Sequence, residues 1–209
     1  MATKRKLAEQ ALRILSGGQN TRDSQVSIQE LMIFVNQAYA FVVKKNWWNN
    51  RREGESGVNG NFIYSFEDIV INKDTVKNLY YANLPSSFLG DIPHELGISH
   101  VSYVQSLNKP FVRLANGMNG LLRGLQSEGM GGNDTFFVEN DKVYLPTVKK
   151  VNEDCKLLMK LVVAMEGIDE ETNIAIPPDI AIEIVQMTVQ MYGQQQDRVK
   201  DVINDNKKN

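Results

Sequence analysis

The sequence predicts an α+β protein in which N- and C-terminal helices form a helical bundle and an antiparallel β-rich domain is inserted between them. Three observations lead to this prediction. Apolar residues recur every three or four positions near both ends, short β-type runs fill the middle, and turn-forming residues separate those runs. We expect N-terminal helices over residues 1–50, a flexible loop over 51–61, the β-rich insertion over 62–176, and a C-terminal helix with a polar tail over 177–209.

Two helices are predicted in the N-terminal part. The first has apolar residues at helical spacing from Leu7 to Leu15 and ends at Gly17 and Gly18, which tolerate positive φ. The second begins at Ser27, which forms a capping box with Glu30. Its apolar stripe is wider than one neighbouring helix would cover and comprises Ile28, Leu31, Met32, Ile33, Phe34, Val35, Ala38, Tyr39, Phe41, Val42 and Val43. Either this helix is central, or part of it contacts another chain.

Short strands are predicted through the middle of the chain. The runs are residues 62–66, 69–71, 76–81, 101–105 and 111–114, and we expect the last two to form a pair. A hairpin is predicted from 135–139 and 142–145, because Asn140 and Asp141 tolerate the left-handed conformation of a tight turn. Glu139 would then face Lys142. The glycine-rich stretch 115–133 is expected to be a flexible excursion or a loop that orders on assembly.

Residues 155–165 have an ambiguous pattern. Every odd position is apolar, as in a half-buried strand, but several apolar residues also fit a helix. We favour the strand. Cys155, the single cysteine, is expected to be a small core residue, and its being alone excludes an internal disulfide and favours a reducing compartment.

The third helix is predicted to start at Pro177 and Pro178, with Asp179 and Glu183 near the positive end of its dipole. Its expected buried side is Ile180, Ala181, Ile184, Val185, Thr188, Met191 and Tyr192. Past Gly193 the periodicity weakens, and residues 204–209 are expected to be solvated.

Charge and hydropathy exclude some classes of protein. The chain has 23 basic and 25 acidic residues, so its net charge of -2 disfavours a dedicated DNA-binding protein. No window approaches the roughly 18 consecutive apolar residues of a membrane span, and the N-terminus lacks the apolar stretch of a signal peptide. We therefore expect a soluble protein without a membrane role.

Motifs that could carry chemistry fail on spacing. His94 and His100 are the two histidines, and a metalloprotease helix would need its second histidine at the position of Ile98. We expect both histidines to be loop residues. The cluster Gly129–Gly132 lacks the lysine and hydroxyl residue of a P-loop, and no nucleophile motif is present. The sequence predicts no catalytic, cofactor-binding or metal-binding residue and no enzyme, although a site assembled from distant residues would leave no motif.

The dipeptide Trp47–Trp48 marks the end of the second helix and is flanked by Lys44, Lys45, Arg51 and Arg52. Burial is the default for an indole, but adjacent helical positions point about 100° apart. One tryptophan can therefore enter the core while the other meets a neighbour. Aromatic and basic residues together could also contact nucleic acid, but the adjoining Glu53 and Glu55 favour a solvated or intersubunit role.

The order of elements resembles the head–tail connector proteins of short-tailed phages, with the crAss-like phages as the nearest group. The resemblance covers roughly residues 4–192. It depends on terminal helices around a β insertion, on Tyr80–Pro85, on Gly97–Val101, and on the hairpin that ends Val143–Tyr144–Leu145–Pro146.

That resemblance implies a homo-oligomeric ring, commonly twelvefold, which docks beneath the portal protein and contacts other tail ring or tail proteins. DNA would interact only by passage through the enclosed channel. The location would be the tail or connector region of the virion, after synthesis in the host cytoplasm. No cofactor is implied.

The residues expected at subunit contacts are Trp47, Trp48, Arg51, Arg52, Gln194 and Arg198, within the wider segments 49–61, 115–133 and 194–209. Ring closure needs two different patches that meet on successive copies. The alternatives are a nucleic-acid-binding accessory protein and an enzyme of unrecognised type.

Overall fold

The computed structural model describes residues 2–18, 26–53, 57–85, 97–114, 134–151, 155–174 and 176–205, with the backbone alone for 197–205. Over these residues the chain has the predicted α+β fold. It divides into two compact units, one formed by residues 1–62 with 164–209 and the other by 63–163. Among the described residues, the α-helices lie in the first unit and the two sheets in the second.

The helical unit contains α1 (Lys4–Leu15), α2 (Ile28–Arg52) and α3 (Pro178–Asp205). Each helix packs against the other two. The Phe34 ring meets the Tyr192 ring edge-on at 5.7 Å, and Lys45 pairs with Glu183 further along, so α2 and α3 run antiparallel. The apolar face of α2, which includes Leu31, Val35, Ala38 and Val43, lies in the core of this unit.

The helix ends agree with most of the sequence signals. Ser27 caps α2, although its Oγ accepts from the N–H of Gln29 rather than from Glu30 as in a capping box. Gly17 and Gly18 follow α1 with φ of 63° and 83°, as their position predicts.

The ends of α2 and α3 lie close to the expected ends. α2 continues through residues 51 and 52, where the loop was expected to begin, and α3 continues past Gly193 to Asp205, next to the end expected near residue 204. Helical hydrogen bonding along the chain outweighs the roughly 1 kcal/mol cost of one glycine.

The three-stranded sheet has the order β1 (Ile63–Val70), β8 (Lys156–Val162), β4 (Ile98–Tyr103). β8 is the central strand, and Leu157, Met159 and Leu161 are fully buried, which confirms the strand interpretation of this run. Cys155 precedes β8 and is half-buried rather than a core residue. The predicted runs 62–66 and 69–71 merge into β1, whose pairing shifts at Asp68, a residue with φ of 62°.

The second sheet has the order β2 (Asn72–Asp74), β3 (Leu79–Asn83), β7 (Lys142–Leu145), β6 (Thr135–Glu139), β5 (Val112–Arg113). The β6–β7 hairpin is confirmed: Asn140 and Asp141 have φ of 46° and 54°, and Glu139 pairs with Lys142 in the register. Positive φ at both turn residues matches the hairpin geometry that follows the twist of the strands.

Two predictions for the middle are wrong. Val76, Lys77 and Asn78 form a turn instead of a strand, because the Asp74 carboxylate accepts from the N–H groups of Val76 and Lys77. The runs 101–105 and 111–114 do not form a strand pair. β4 pairs with β8, and β5 pairs with β6 in parallel.

The predicted glycine-rich loop 115–133 and His94 lie outside the described residues. Within the described ranges, no helix is long and apolar enough to cross a membrane.

Candidate subunit interface

The two tryptophans at the end of α2 have different surroundings. Trp47 is 3% exposed, whereas Trp48 is 53% exposed. Their ring centroids lie 4.8 Å apart with planes at 77°, an edge-on contact, and the Arg51 guanidinium lies 5.3 Å from the centroid of the Trp47 ring. The helix therefore buries one indole and presents the other outward beside a cation.

The segment after α2 folds back along the helix. Asn46 Oδ1 accepts from the N–H of Asn59 at 3.0 Å, and Asn50 donates to the carbonyl of Gly57 at 3.3 Å. These asparagines are one turn apart on α2. Phe62, expected to begin a strand, instead ends a 3-10 turn, is fully buried, and meets the Tyr39 ring at 5.9 Å. Residues 57–61, expected in a flexible loop, are thus held against the last turns of α2.

A row of exposed apolar side chains runs along the outside of α2. Ile33, Phe41 and Trp48 are 57%, 49% and 53% exposed. Their spacings of eight and seven residues place them within about 80° around the helix and over about 22 Å along it. We call these three residues the outer stripe. Single exposed apolar residues are ordinary, but here three large ones share one helix face, with the polar Gln37 and Lys44 between them. Their alignment favours a contact surface of mixed apolar and polar character.

Basic residues surround the C-terminal end of the outer stripe. Arg51 and Arg52 are exposed, and Lys45 pairs with Glu183 of α3. The adjacent Ile182 is also 57% exposed. The stripe therefore ends in a positively charged region where α2 and α3 meet.

The structure places the six predicted contact residues in two groups. Trp47, Trp48, Arg51 and Arg52 lie together on the last two turns of α2. Gln194 is exposed on α3, two residues past Tyr192, which meets the opposite end of α2; it is therefore about 20 Å from Trp48 along the bundle. Arg198 follows one turn later, and its side chain lies outside the described atoms.

Sequence reasoning missed part of this surface. Ile33 and Phe41 were recognised as widening the apolar stripe but were not included among the contact residues, whereas Phe34, which widens the same pattern, is buried against Tyr192. A separate acidic surface over residues 166–171 was missed as well. Its signal was a local excess of carboxylates, which is also typical of an ordinary solvated turn.

The β unit contains one histidine–serine contact. His100 Nε2 lies 3.0 Å from Ser102 Oγ on β4, so His100 is a strand residue rather than the expected loop residue. Burial, and then the charge of Lys160, lowers the pKa of His100. Ser102 is fully buried, and its hydroxyl therefore cannot meet an external substrate. This pair is a packing feature of the sheet.

In the part of the chain that the structure describes, no group of three or more histidine, cysteine, aspartate or glutamate side chains could hold a metal ion. No family model and no curated protein matches this sequence. The outer stripe on the helical unit is therefore the main candidate for a functional surface.

Proposed function

We propose that this chain is a virion structural protein, a subunit of the ring-forming head–tail connector that joins the portal to the tail and encloses the DNA exit channel. The sequence resemblance and the α+β fold support this proposal. The main observation in its support is the outer stripe, three large apolar side chains that are exposed on one face of α2. The action is geometric, since the subunit positions its neighbours and makes or breaks no bond.

The outer stripe favours contact with protein. Burial of apolar surface contributes about 25 cal/mol per Å², and an aromatic side chain has about 150 to 250 Å² to bury. About half of Phe41 and of Trp48 is still exposed, so each could contribute about 2–3 kcal/mol before the costs of association. Aromatic residues and arginine are enriched at the centre of protein interfaces, and both occur here. Trp48 with the neighbouring arginines is the expected centre of the contact.

The proposal includes partners and a location. The partners are further copies of the chain in a ring, the portal protein, and other tail ring or tail proteins. DNA passes through the channel without specific binding, which agrees with a net charge of -2. The protein would be made in the host cytoplasm and reside in the tail or connector region of the virion.

The direct experiment mixes the purified chain with the portal protein of the same genome and images the particles by electron cryomicroscopy. We expect a closed ring coaxial with the portal. Trp48→Ala should reduce ring formation, whereas Val76→Ala, at a residue 93% exposed in the β unit, should not. Portals that carry no ring at saturating concentrations of the wild-type chain would refute the proposal.

DNA retention separates this function from the nucleic-acid-binding alternative. A connector subunit should not bind DNA at physiological ionic strength, because counterion release supplies little affinity to a nearly neutral protein. Binding that persists there and weakens steeply with added salt would favour an accessory DNA-binding protein.

A further inference from the structure

A second charged surface on the helical unit complements the basic end of the outer stripe. Residues 166–171 contain four acidic residues and no basic one, while residues 44–52 contain four basic residues and no acidic one. Glu166, Asp169, Glu170 and Glu171 are all exposed. We call residues 166–171 the acidic turn.

We propose that the outer stripe and its basic end dock onto the acidic turn of a second copy of this chain. This inference rests on the proposed function, in which copies join into a ring, and it names the two surfaces that meet. Arg51 and Arg52 would face Asp169 and Glu170 of the next copy, and Trp48 would lie at the centre of the contact.

The acidic turn is held in place before any partner arrives. The N–H of Arg5 donates to the Glu170 carbonyl, and the Arg5 side chain pairs with Glu171 at 3.0 Å. Ile168 is buried within the turn. A preformed surface loses little conformational entropy on binding, so the carboxylates of Asp169 and Glu170 are well suited to meet a cationic partner.

The outer stripe and the acidic turn are formed by different segments of the chain, the first by α2 and the second by residues between β8 and α3. The 3-10 turn Met165–Gly167, which starts the acidic turn, contacts α2, and Met165 is buried. An interface between two different patches is heterologous, and repeated head-to-tail contacts of this kind generate a ring when the rotation closes.

The charge pattern also favours a second copy over a generic apolar partner. Each copy carries both patches, so one contact satisfies the basic end of one chain and the acidic turn of the next. Opposite charges at an interface set the register and suppress wrong partners. Exposed ion pairs contribute modestly to affinity, so the charges mainly decide which surfaces pair and in which register.

Charge reversal tests the pairing. One variant carries Arg51→Glu and Arg52→Glu, and the other carries Asp169→Arg and Glu170→Arg. Sedimentation velocity over a concentration series would measure self-association of the full chain. Each variant alone brings like charges together and should associate at least about tenfold more weakly than wild type. In an equal mixture, every contact between one variant and the other pairs opposite charges. We therefore expect the mixture to self-associate, with the two variants alternating along the assembly.

Controls separate this effect from a change in net charge or folding. Lys149→Glu with Lys150→Glu reverses an exposed basic pair in the β unit and should associate like wild type. Circular dichroism should show unchanged helix content for every variant. A mixture that associates no better than its components would overturn the inference, as would wild type that stays monomeric throughout the concentration series.

The portal experiment distinguishes failure of this inference from failure of the function. If rings form on the portal and both reversed variants assemble as readily as wild type, the assigned surfaces are wrong and the connector function stands. If the mixed variants associate in solution but wild type never docks on the portal, the surfaces are right and the connector function is wrong.

Discussion

Trp47 and Trp48 show how one residue step on a helix decides between core and surface. Trp47→Ala should lower the free energy of unfolding by about 3–5 kcal/mol, because a large buried side chain is replaced by a cavity. Trp48→Ala should lower it less, by about 1–2 kcal/mol in the monomer, because half of this indole is exposed and the main loss is its edge-on contact with Trp47. Chemical denaturation of the two variants gives the comparison, and equal losses would contradict the assignment of Trp48 to a contact surface.

Asp141 occupies a turn position that favours glycine. Asn140 and Asp141 both have positive φ, and an L side chain in this region is strained. Asp141→Gly should therefore raise the free energy of unfolding by up to about 1 kcal/mol, while Asp141→Val should lower it. The contact from the N–H of Leu84 to the Asp141 carbonyl involves backbone atoms and is available to each variant. Destabilisation by glycine would show that the Asp141 side chain has an unrecognised role.

His100 should make stability depend on pH. Its pKa is lowered from the usual 6.5, chiefly by burial and further by Lys160, so on acidification the unfolded chain binds the proton before the folded chain does. The contribution of neutral His100 to the free energy of unfolding is fully present above about pH 6.5 and is lost as the pH falls below that value. His100→Gln removes this contribution.

The measurement is the difference in free energy of unfolding between wild type and His100→Gln at pH 7.5 and at pH 5.5. Wild type should lose more stability than the variant on acidification. Both chains retain His94 and all carboxylates, so those groups cancel in the comparison. A difference that does not change with pH would mean that His100 titrates normally in the folded protein.

At the scale of elements, β8 is the strand on which the three-stranded sheet depends. It pairs with β1 on one side and β4 on the other, and Met159 is fully buried. Met159→Ala should cost about 2–5 kcal/mol. Val70→Ala, near the exposed end of β1, should cost less than about 0.5 kcal/mol.

Hydrogen exchange shows which strands are destabilised by Met159→Ala. Met159→Ala should accelerate exchange of the backbone amides in β1, β4 and β8 together, since β8 supplies the pairing for both neighbours. If only β8 exchanges faster, the three strands do not form one cooperative unit.

The same elements show what the sequence could predict. Local patterns identified α1, α2 and α3, the β6–β7 hairpin and the strand nature of β8, because each depends on periodicity or turn chemistry within a few residues. Strand partners were not predictable in this way. β5 joins β6 in parallel and β4 joins β8 across a long stretch of sequence, and no local signal encodes those contacts.

In the candidate interface, the sequence identifies Trp47 and Trp48 by their size, but which of the two is buried depends on how the helices pack. Ile33 and Phe41 could be recognised as excess apolar residues on α2, while their exposure depended on which faces α1 and α3 cover. The carboxylates of the acidic turn are evident in the sequence, but the hydrogen bond from α1 that holds its backbone depends on the fold.

At the scale of the whole molecule, the proposed function makes the chain a building block whose exposed apolar stripe and opposite charges find partners on assembly. A small subunit with two unlike patches forms a ring if each copy meets the next at a fixed rotation. A portal that already has rotational symmetry would supply that geometry and raise the local concentration of subunits.

The most direct test is the mass of the portal complex, measured while the wild-type chain is added. The account predicts one discrete increment, equal to a closed ring of commonly twelve copies, with few partially filled portals because neighbouring subunits stabilise one another. Independent binding of single copies, or no increase in mass at saturation, would contradict the assignment of this chain as a ring-forming connector subunit.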